Sequence, residues 1–307
     1  MIVEALESYY RHRAIEANQR PQRWQRASSM GRCPRQLGYV KLGIQGDPLQ
    51  PRRWSILEDG DLYDIGLKRD LIQSLGPKVI SLDGLGINSC WIEGVEITFT
   101  PDFAFQTEDD RIALGEIKSM SNFGFERALK GEIDSAYLAQ AWTYHFGTSF
   151  DPIVFVCVRK ETRHICEVVF DSTCKEKVVT QRYGGDPLEL AKDDPMLIAE
   201  IRSPFDDSVE QQVRETVRSV NACDGLSALP MGVRTIEREL IKVQGKAKAE
   251  EQKAHYGEPV EQNGSWYSFA TGRKILKFPC SYCQFLKNCF PNVQLEIQKE
   301  APIWVVD

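Results

Sequence analysis

The chain has 307 residues, 42% of them hydrophobic and 27% charged, with a net charge of −6. That length is enough to bury a full core and a second, smaller unit. The acidic balance excludes a chain that coats nucleic acid by bulk charge, and the lack of any run of 18 apolar residues excludes a membrane-spanning helix.

The opening MIVEALESYYRHR carries acids and arginines where a secretory signal has an unbroken apolar core, so a cytoplasmic chain is expected. Residues 1–20 read as a helix with Leu6, Tyr9 and Tyr10 toward one side. Residues 21–53 are rich in Pro, Arg and Gly and read as an irregular arm with a short helix near Pro34–Tyr39. From Arg11 to Arg53, ten Lys and Arg face only Glu16 and Asp47, a local charge of +8 suited to following phosphates. Arg32 and Arg35 in this arm are candidate DNA contacts, and Trp24, Tyr39 and Trp54 are aromatics of the kind that stack on bases.

A helix is expected over Ile56–Leu75, from the spacing of Ile56, Leu62, Ile65, Leu67, Leu71 and Ile72. The period then changes to that of strands, at Val79–Leu82, Trp91–Phe99, Phe103–Gln106 and Ile112–Ile117, with Glu108-Asp109-Asp110 as a turn. Helices over Phe123–Leu129 and Ser135–Phe146 follow, then strands Ile153–Arg159 and His164–Phe170. This β-β-β-α-β order predicts an α/β fold with a mixed central sheet and helices packed on it. From Gly184 the texture becomes charged, and Pro187–Pro204, Asp206–Val220 and Thr235–Ala254 read as a helical insertion. The boundaries expected are an arm over 1–53, a core over 54–183, the insertion over 184–260 and a cysteine-rich end over 261–307.

The chemistry-bearing residues cluster in the predicted sheet. Asp102 follows Pro101 after one apolar strand, and Glu116-Ile117-Lys118 closes the next. Residues two apart on a strand share a face, so Glu116 and Lys118 project together. Hard carboxylate oxygens suit Mg²⁺ or Mn²⁺, and phosphodiester hydrolysis needs such an ion to polarise the phosphoryl group. Asp102 and Glu116 are therefore candidate metal ligands, joined by the Ile117 carbonyl and by Asp64 from the preceding helix. Lys118 is placed to support the attacking water. Gln140 and Tyr144 share one helix face and are candidates to hold a phosphate or that water.

Nine cysteines, with no secretory signal, do not read as a disulfide framework. Cys280, Cys283 and Cys289 form a compact trio that suggests a metal centre. Cys33 is the leading candidate for a fourth ligand and His255 its rival. Zinc and a 4Fe–4S cluster both fit, and a lone distant cysteine joining a trio favours iron–sulfur. Arg273, Lys274 and Lys277 near the trio are further candidate DNA contacts.

Taken together, Cys33-Pro34-Arg35, Gly60, Asp102, Glu116-Lys118, Gln140 with Tyr144 and the closing trio resemble the PD-(D/E)xK nucleases of the RecB superfamily. The resemblance is to the iron–sulfur branch that includes the CRISPR-associated exonuclease (Cas, number four) and the AddB-type nucleases. It implies a restriction-endonuclease-like core. It also implies catalysis by Asp102, Glu116 and Lys118 with Mn²⁺ or Mg²⁺, a QxxxY motif at Gln140 and Tyr144, and 4Fe–4S on Cys33, Cys280, Cys283 and Cys289. The implied activity is exonuclease action on single-stranded DNA, with endonuclease cleavage open to the same site. Partners in recombination, phage DNA processing or CRISPR adaptation follow from the same resemblance. Where the family commonly has a His in the early helix, this chain has Asp64. A non-catalytic DNA-binding or assembly subunit is the alternative.

Overall fold

The computed structural model describes residues 2–20, 22–182, 196–232, 236–238, 240–256, 258–262, 265–268, 274–277, 280, 283–298 and 301–306. The chain divides into two compact units. One comprises Met1–Ala14, Pro21–Gly43 and Gln50–Pro230, and the other Ile15–Arg20, Ile44–Leu49 and Met231–Asp307. The two helices expected near the start of the chain form, as α1 (Ile2–Gln19) and α2 (Pro34–Lys41).

The first unit is built on a mixed seven-stranded sheet. Its strands are β1 (Val79–Ile80), β4 (Phe103–Gln106), β5 (Ile112–Met120), β6 (Ile153–Arg159), β7 (Ile165–Phe170), β8 (Val178–Gln181) and β9 (Leu197–Ser203), in the order β1-β4-β5-β6-β7-β9-β8. Only β5–β6 and β7–β9 are parallel pairs. β6 is apolar along nearly its whole length and buried on both faces, as a central strand covered by helices must be.

Side chains alternate across β5 and sort into two apolar layers. Leu114 and Met120 join the larger, with Phe155, Cys157, Val168 and Phe170. Ala113 and Ile117 join the smaller, with Val154, Val156 and Val158. Helix α3 (Pro51–Leu75) covers the smaller layer through Leu67, Leu71 and Leu75. Proline at its first turn costs no hydrogen bond, which explains a start earlier than the apolar spacing indicated.

Two helices connect the parallel pair β5–β6. Ser121 caps α5 (Asn122–Leu129), and Asp134 caps α6 (Ser135–Thr148) by accepting from the Ala136 N–H at 2.8 Å. The helix Asp207–Asn221 adds Val209, Val213, Val217 and Val220 to the larger layer.

Four expectations change. Trp91–Phe99 is not one strand: β2 (Ser89–Ile92) and β3 (Val95–Thr98) form a separate two-stranded hairpin. Glu93 and Gly94 turn it with φ of 49° and 74°, the left-handed pair that a two-residue hairpin favours. The β reading of Val79–Leu82 stops at Ile80, and Leu82–Leu85 makes a helical turn, α4.

Pro187–Pro204 does not read through as helix either. Residues 183–195 lie outside the described set, and Leu197–Ser203 is a strand between β7 and β8, with Ile198, Ala199 and Ile201 buried. The first unit therefore runs to Pro230, past the expected core boundary at 183. Thr235–Ala254 opens with two short strands, β10 (Ile236–Arg238) and β11 (Ile241–Val243), before the helix Gly245–Tyr256. Edge and ribbon pairing overrides the helix propensity of this charged sequence.

The second unit holds a four-stranded and a three-stranded antiparallel sheet. A small apolar cluster of Leu276, Cys280 and Leu286 packs with Phe290, Val293 and Val306. Among the described residues, no helix is long and apolar enough to cross a membrane.

Candidate active site

The site forms because β5 outruns its neighbour. β4 pairs with β5 only between Ile112 and Gly115, whereas β6 stays in register as far as Met120. From Glu116 onward the β4 flank of β5 is open, and Pro101-Asp102 turns into the gap. The Asp102 N–H donates to the Gly115 carbonyl at 3.0 Å, and the Ile117 N–H donates to Asp102 Oδ2 at 2.8 Å. The N–H and C=O of one strand residue project to the same side, so the Ile117 carbonyl faces this gap too.

Gly115 makes the approach possible. A Cβ there would stand 2.2 Å from Phe103 Cζ, so only glycine lets the Phe103 ring lie across β5. Gly60 of α3 packs closely on β5: a Cβ there would meet Ser119 Oγ at 3.2 Å, a tight contact that the serine would have to relieve.

Glu116 and Lys118 project to the other face, as their spacing requires. Lys118 Nζ donates to Glu116 Oε1 at 2.8 Å, and the Tyr144 hydroxyl donates to Glu116 Oε2 at 2.8 Å. Gln140 Nε2 donates in turn to the Tyr144 hydroxyl oxygen at 2.7 Å. Gln140 and Tyr144 are buried, 3% and 2% exposed, and their linked bonds reach the Glu116 carboxylate.

The electrostatics show an excess of acid. Burial pushes the Glu116 carboxyl up, Lys118 pulls it back and Asp102 raises it again. Burial, and then the Asp102 charge, hold Asp64 at about 6, against an ordinary value of 3.8. Asp64 Oδ1 is buried and accepts no hydrogen bond. Burial and the Glu116 charge drive the Tyr144 phenol well above its usual range, so it stays a donor.

These observations bear on whether the acids fit a divalent cation. The donor set is hard oxygen, negatively charged and short of partners at Asp64, which suits Mg²⁺ or Mn²⁺. Against a preformed shell, no group of three or more His, Cys, Asp or Glu among the described residues is drawn together closely enough to hold a metal ion. Lys118 occupies one Glu116 oxygen and Ile117 one Asp102 oxygen, so both acids are engaged by protein donors.

Sequence reasoning missed Tyr137. Its ring stacks on Phe155 at 5.6 Å, and Lys118 Nζ lies 5.3 Å from its centroid. The signal was present, since Tyr137 stands three residues before Gln140 and seven before Tyr144, on one helix face. Tyr137 also lines a cavity of about 200 Å³ with Ser121, Arg127, Asp134 and Cys157. Asp64 lines another of about 270 Å³ with Tyr63, Leu67, Ile117 and Arg163.

Outside this site the expectations divide. Arg32 is exposed, whereas Arg35 is half-buried and lies over the Tyr39 ring at 5.7 Å. Trp24 and Tyr39 are buried, 6% and 2% exposed, which removes them as stacking platforms. Trp54 Nε1 donates to Glu58 at 2.8 Å. Lys274 and Lys277 are exposed in the second unit, and Arg273 lies outside the described residues.

None of the nine cysteines forms a disulfide. Cys33 precedes α2 in the first unit. In the second, the Cys283 N–H donates to the Cys280 carbonyl at 3.1 Å and the Cys289 N–H to the Phe285 carbonyl at 3.1 Å, a turn leading into one helical turn. Among the described residues, the three thiols are not drawn into a group that would hold a metal ion. The side chain of His255 lies outside the described set.

No family model and no curated relative matches the chain. Among solved structures it is similar to one titled "Crystal structure of SSO0001", at 16% identity and a TM-score of 0.39, over 74% of this chain and 88% of that one.

Proposed function

We propose that this chain is a metal-dependent deoxyribonuclease of the PD-(D/E)xK type. It would cut single-stranded DNA from an end, with internal cleavage by the same site. The observation that carries the reading is the linked set Gln140–Tyr144–Glu116–Lys118 beside Asp102 on the open flank of β5. The mixed sheet with α3 on one face and α5 and α6 on the other is compatible with a restriction-endonuclease-like core.

Asp64, Asp102, Glu116 and the Ile117 carbonyl would hold Mg²⁺ or Mn²⁺. Such an ion polarises a phosphoryl oxygen and lowers the pKa of its bound water. Tyr144, held by Gln140, fixes one Glu116 oxygen and so orients the other. Lys118 sets a positive charge beside that second oxygen, where it offsets the charge gathering on a phosphate under attack. The exposed Arg11, Arg23, Arg26, Arg32 and Arg52 of the first unit supply phosphate contacts that fix the strand without reading its sequence. A 4Fe–4S cluster on the cysteine trio is the cofactor part of the proposal, and it rests on cysteine type and spacing.

The test is direct. Purified protein is incubated with end-labelled single- and double-stranded DNA and Mn²⁺ or Mg²⁺. Asp102→Ala and Lys118→Ala are expected to abolish cleavage while leaving the melting transition in place. Full activity in either variant sinks the assignment. The acids already engaged by protein donors, with no closed metal group among the described residues, favour a second reading as a DNA-binding subunit. Tight DNA binding without cleavage under either metal would select it.

A further inference from the structure

We propose that Tyr137 is a positioning residue for Lys118, its ring and that of Phe155 forming an aromatic seat for the ammonium group. The proposal rests on the nuclease reading above and adds a residue to it. Lys118 Nζ lies 5.3 Å from the Tyr137 centroid and 5.7 Å from that of Phe155. Both fall within the roughly 6 Å over which a ring face attracts a cation. The rings stack on each other at 5.6 Å and 17°.

Both rings are fixed from behind. Phe155 is wholly buried and meets Phe170 edge-on at 5.8 Å. Tyr137 sits in the first turn of α6, with its N–H on the Asp134 carbonyl at 2.9 Å. Burial also keeps its phenol neutral, so no phenolate competes for the ammonium.

The seat answers a conflict within the site. Lys118 is held by Glu116 Oε1 at 2.8 Å, the oxygen that the Tyr144 bond to Oε2 leaves to a cation. When a cation takes that oxygen, the long flexible lysine side chain loses its anchor and regains rotamer freedom. Neutral ring faces hold the ammonium without cancelling its charge, which leaves that charge for the phosphate. Lys118 is only 18% exposed, so water does not take over this task.

The experiment compares Tyr137→Phe, Tyr137→Leu and, as a second ring-free variant, Tyr137→Met. Two readouts are used: kcat and KM on single-stranded DNA with Mn²⁺, and the proton shifts beside Lys118 Nζ in metal-free protein carrying labelled lysine. Lys118→Arg assigns the resonance. The ring-free variants are expected to lose about 3- to 30-fold in kcat, with KM changed less than about twofold. The phenylalanine variant keeps the parent rate. The Lys118 protons should show an upfield ring-current shift in the parent and in Tyr137→Phe, and a smaller one in the ring-free variants, where Phe155 alone remains. Equal kcat in all variants, or equal loss in phenylalanine and leucine, overturns the proposal. If the parent cuts no DNA, the nuclease reading fails on its own. The ring-current shift then decides whether the seat exists, and its absence in the parent refutes it.

Discussion

The Tyr144 hydroxyl donates a hydrogen bond to Glu116 Oε2 at 2.8 Å, and both residues are buried. A carboxylate on a strand is thereby aimed by a helix 28 positions later in the chain. Glu116 is costly to bury as an anion, and the donors from Tyr144 and Lys118 offset that cost. Tyr144→Phe removes one donor and leaves an unpaired oxygen in the interior. Loss of a hydrogen bond to a charged group is expected to cost about 1.5–3 kcal/mol, read from urea unfolding at pH 8. Gln140→Leu, which breaks the outer bond only, should cost less. A Tyr144→Phe variant as stable as the parent would show that Glu116 is satisfied otherwise.

Gly115 carries a second expectation. Alanine there drives a methyl group into the Phe103 ring, whose nearest atom stands 2.2 Å from the place the new Cβ would take. The ring is buried and stacks with Phe105 at 5.9 Å, so it has little room to yield. Overpacking of this kind costs about 1–3 kcal/mol. Because the Gly115 carbonyl also receives the Asp102 N–H, the same change should lower cleavage. Phe103→Leu in the Gly115→Ala background is expected to recover part of both losses. Gly115→Ala without effect on either would mean that the ring lies elsewhere.

The strands and helices that carry these residues were legible where one period dominates. The apolar run Ile153–Arg159 and the alternation around Glu116-Ile117-Lys118 announce a sheet without further help. Local turn chemistry was harder to see. Glu93-Gly94 splits Trp91–Phe99 because Glu93 accepts a positive φ, which its residue type does not advertise. Leu197–Ser203 was hidden by charged flanks, since its strand character comes from its place between β7 and β8. In the site, Asp102, Glu116 and Lys118 were readable from spacing. The burial of Gln140 and Tyr144 and the ring seat of Lys118 were not, because both depend on which side of α6 meets the sheet.

Asp64 yields a pH prediction whose sign is fixed by its surroundings. Burial and the charges of Asp102, Asp61 and Glu116 raise it to about 6, with Lys118 opposing them. The folded protein therefore holds this proton to higher pH than the unfolded chain, where the value is near 3.8. Between those values the folded state binds more protons, so this group lowers stability as pH rises, and the penalty is complete above about 6. Asp64→Asn removes it. In metal-free buffer the variant should gain about 1–2 kcal/mol over the parent at pH 8, after allowance for solvent screening, and nothing near pH ~3.5. Added Mn²⁺ should narrow the gap by stabilising the parent more. A difference that does not vary with pH contradicts the assignment of a strained carboxylate.

The cysteine trio separates two chemistries that spacing leaves close together. Thiolates at Cys280, Cys283 and Cys289 suit either zinc or iron–sulfur, and the two differ in colour and stoichiometry. Protein purified without oxygen is expected to be brown, with broad absorbance near roughly 400 nm and about four irons and four sulfides per chain. Cys283→Ser and Cys289→Ser should bleach it, and Cys33→Ser tests the fourth ligand expected from the sequence. Cys174→Ser, at a half-buried cysteine of the first unit, serves as the control and should leave the colour intact. Colourless protein with one zinc per chain selects the other metal. Protein with neither metal overturns the cofactor proposal and leaves Cys280 as packing with Leu276 and Leu286.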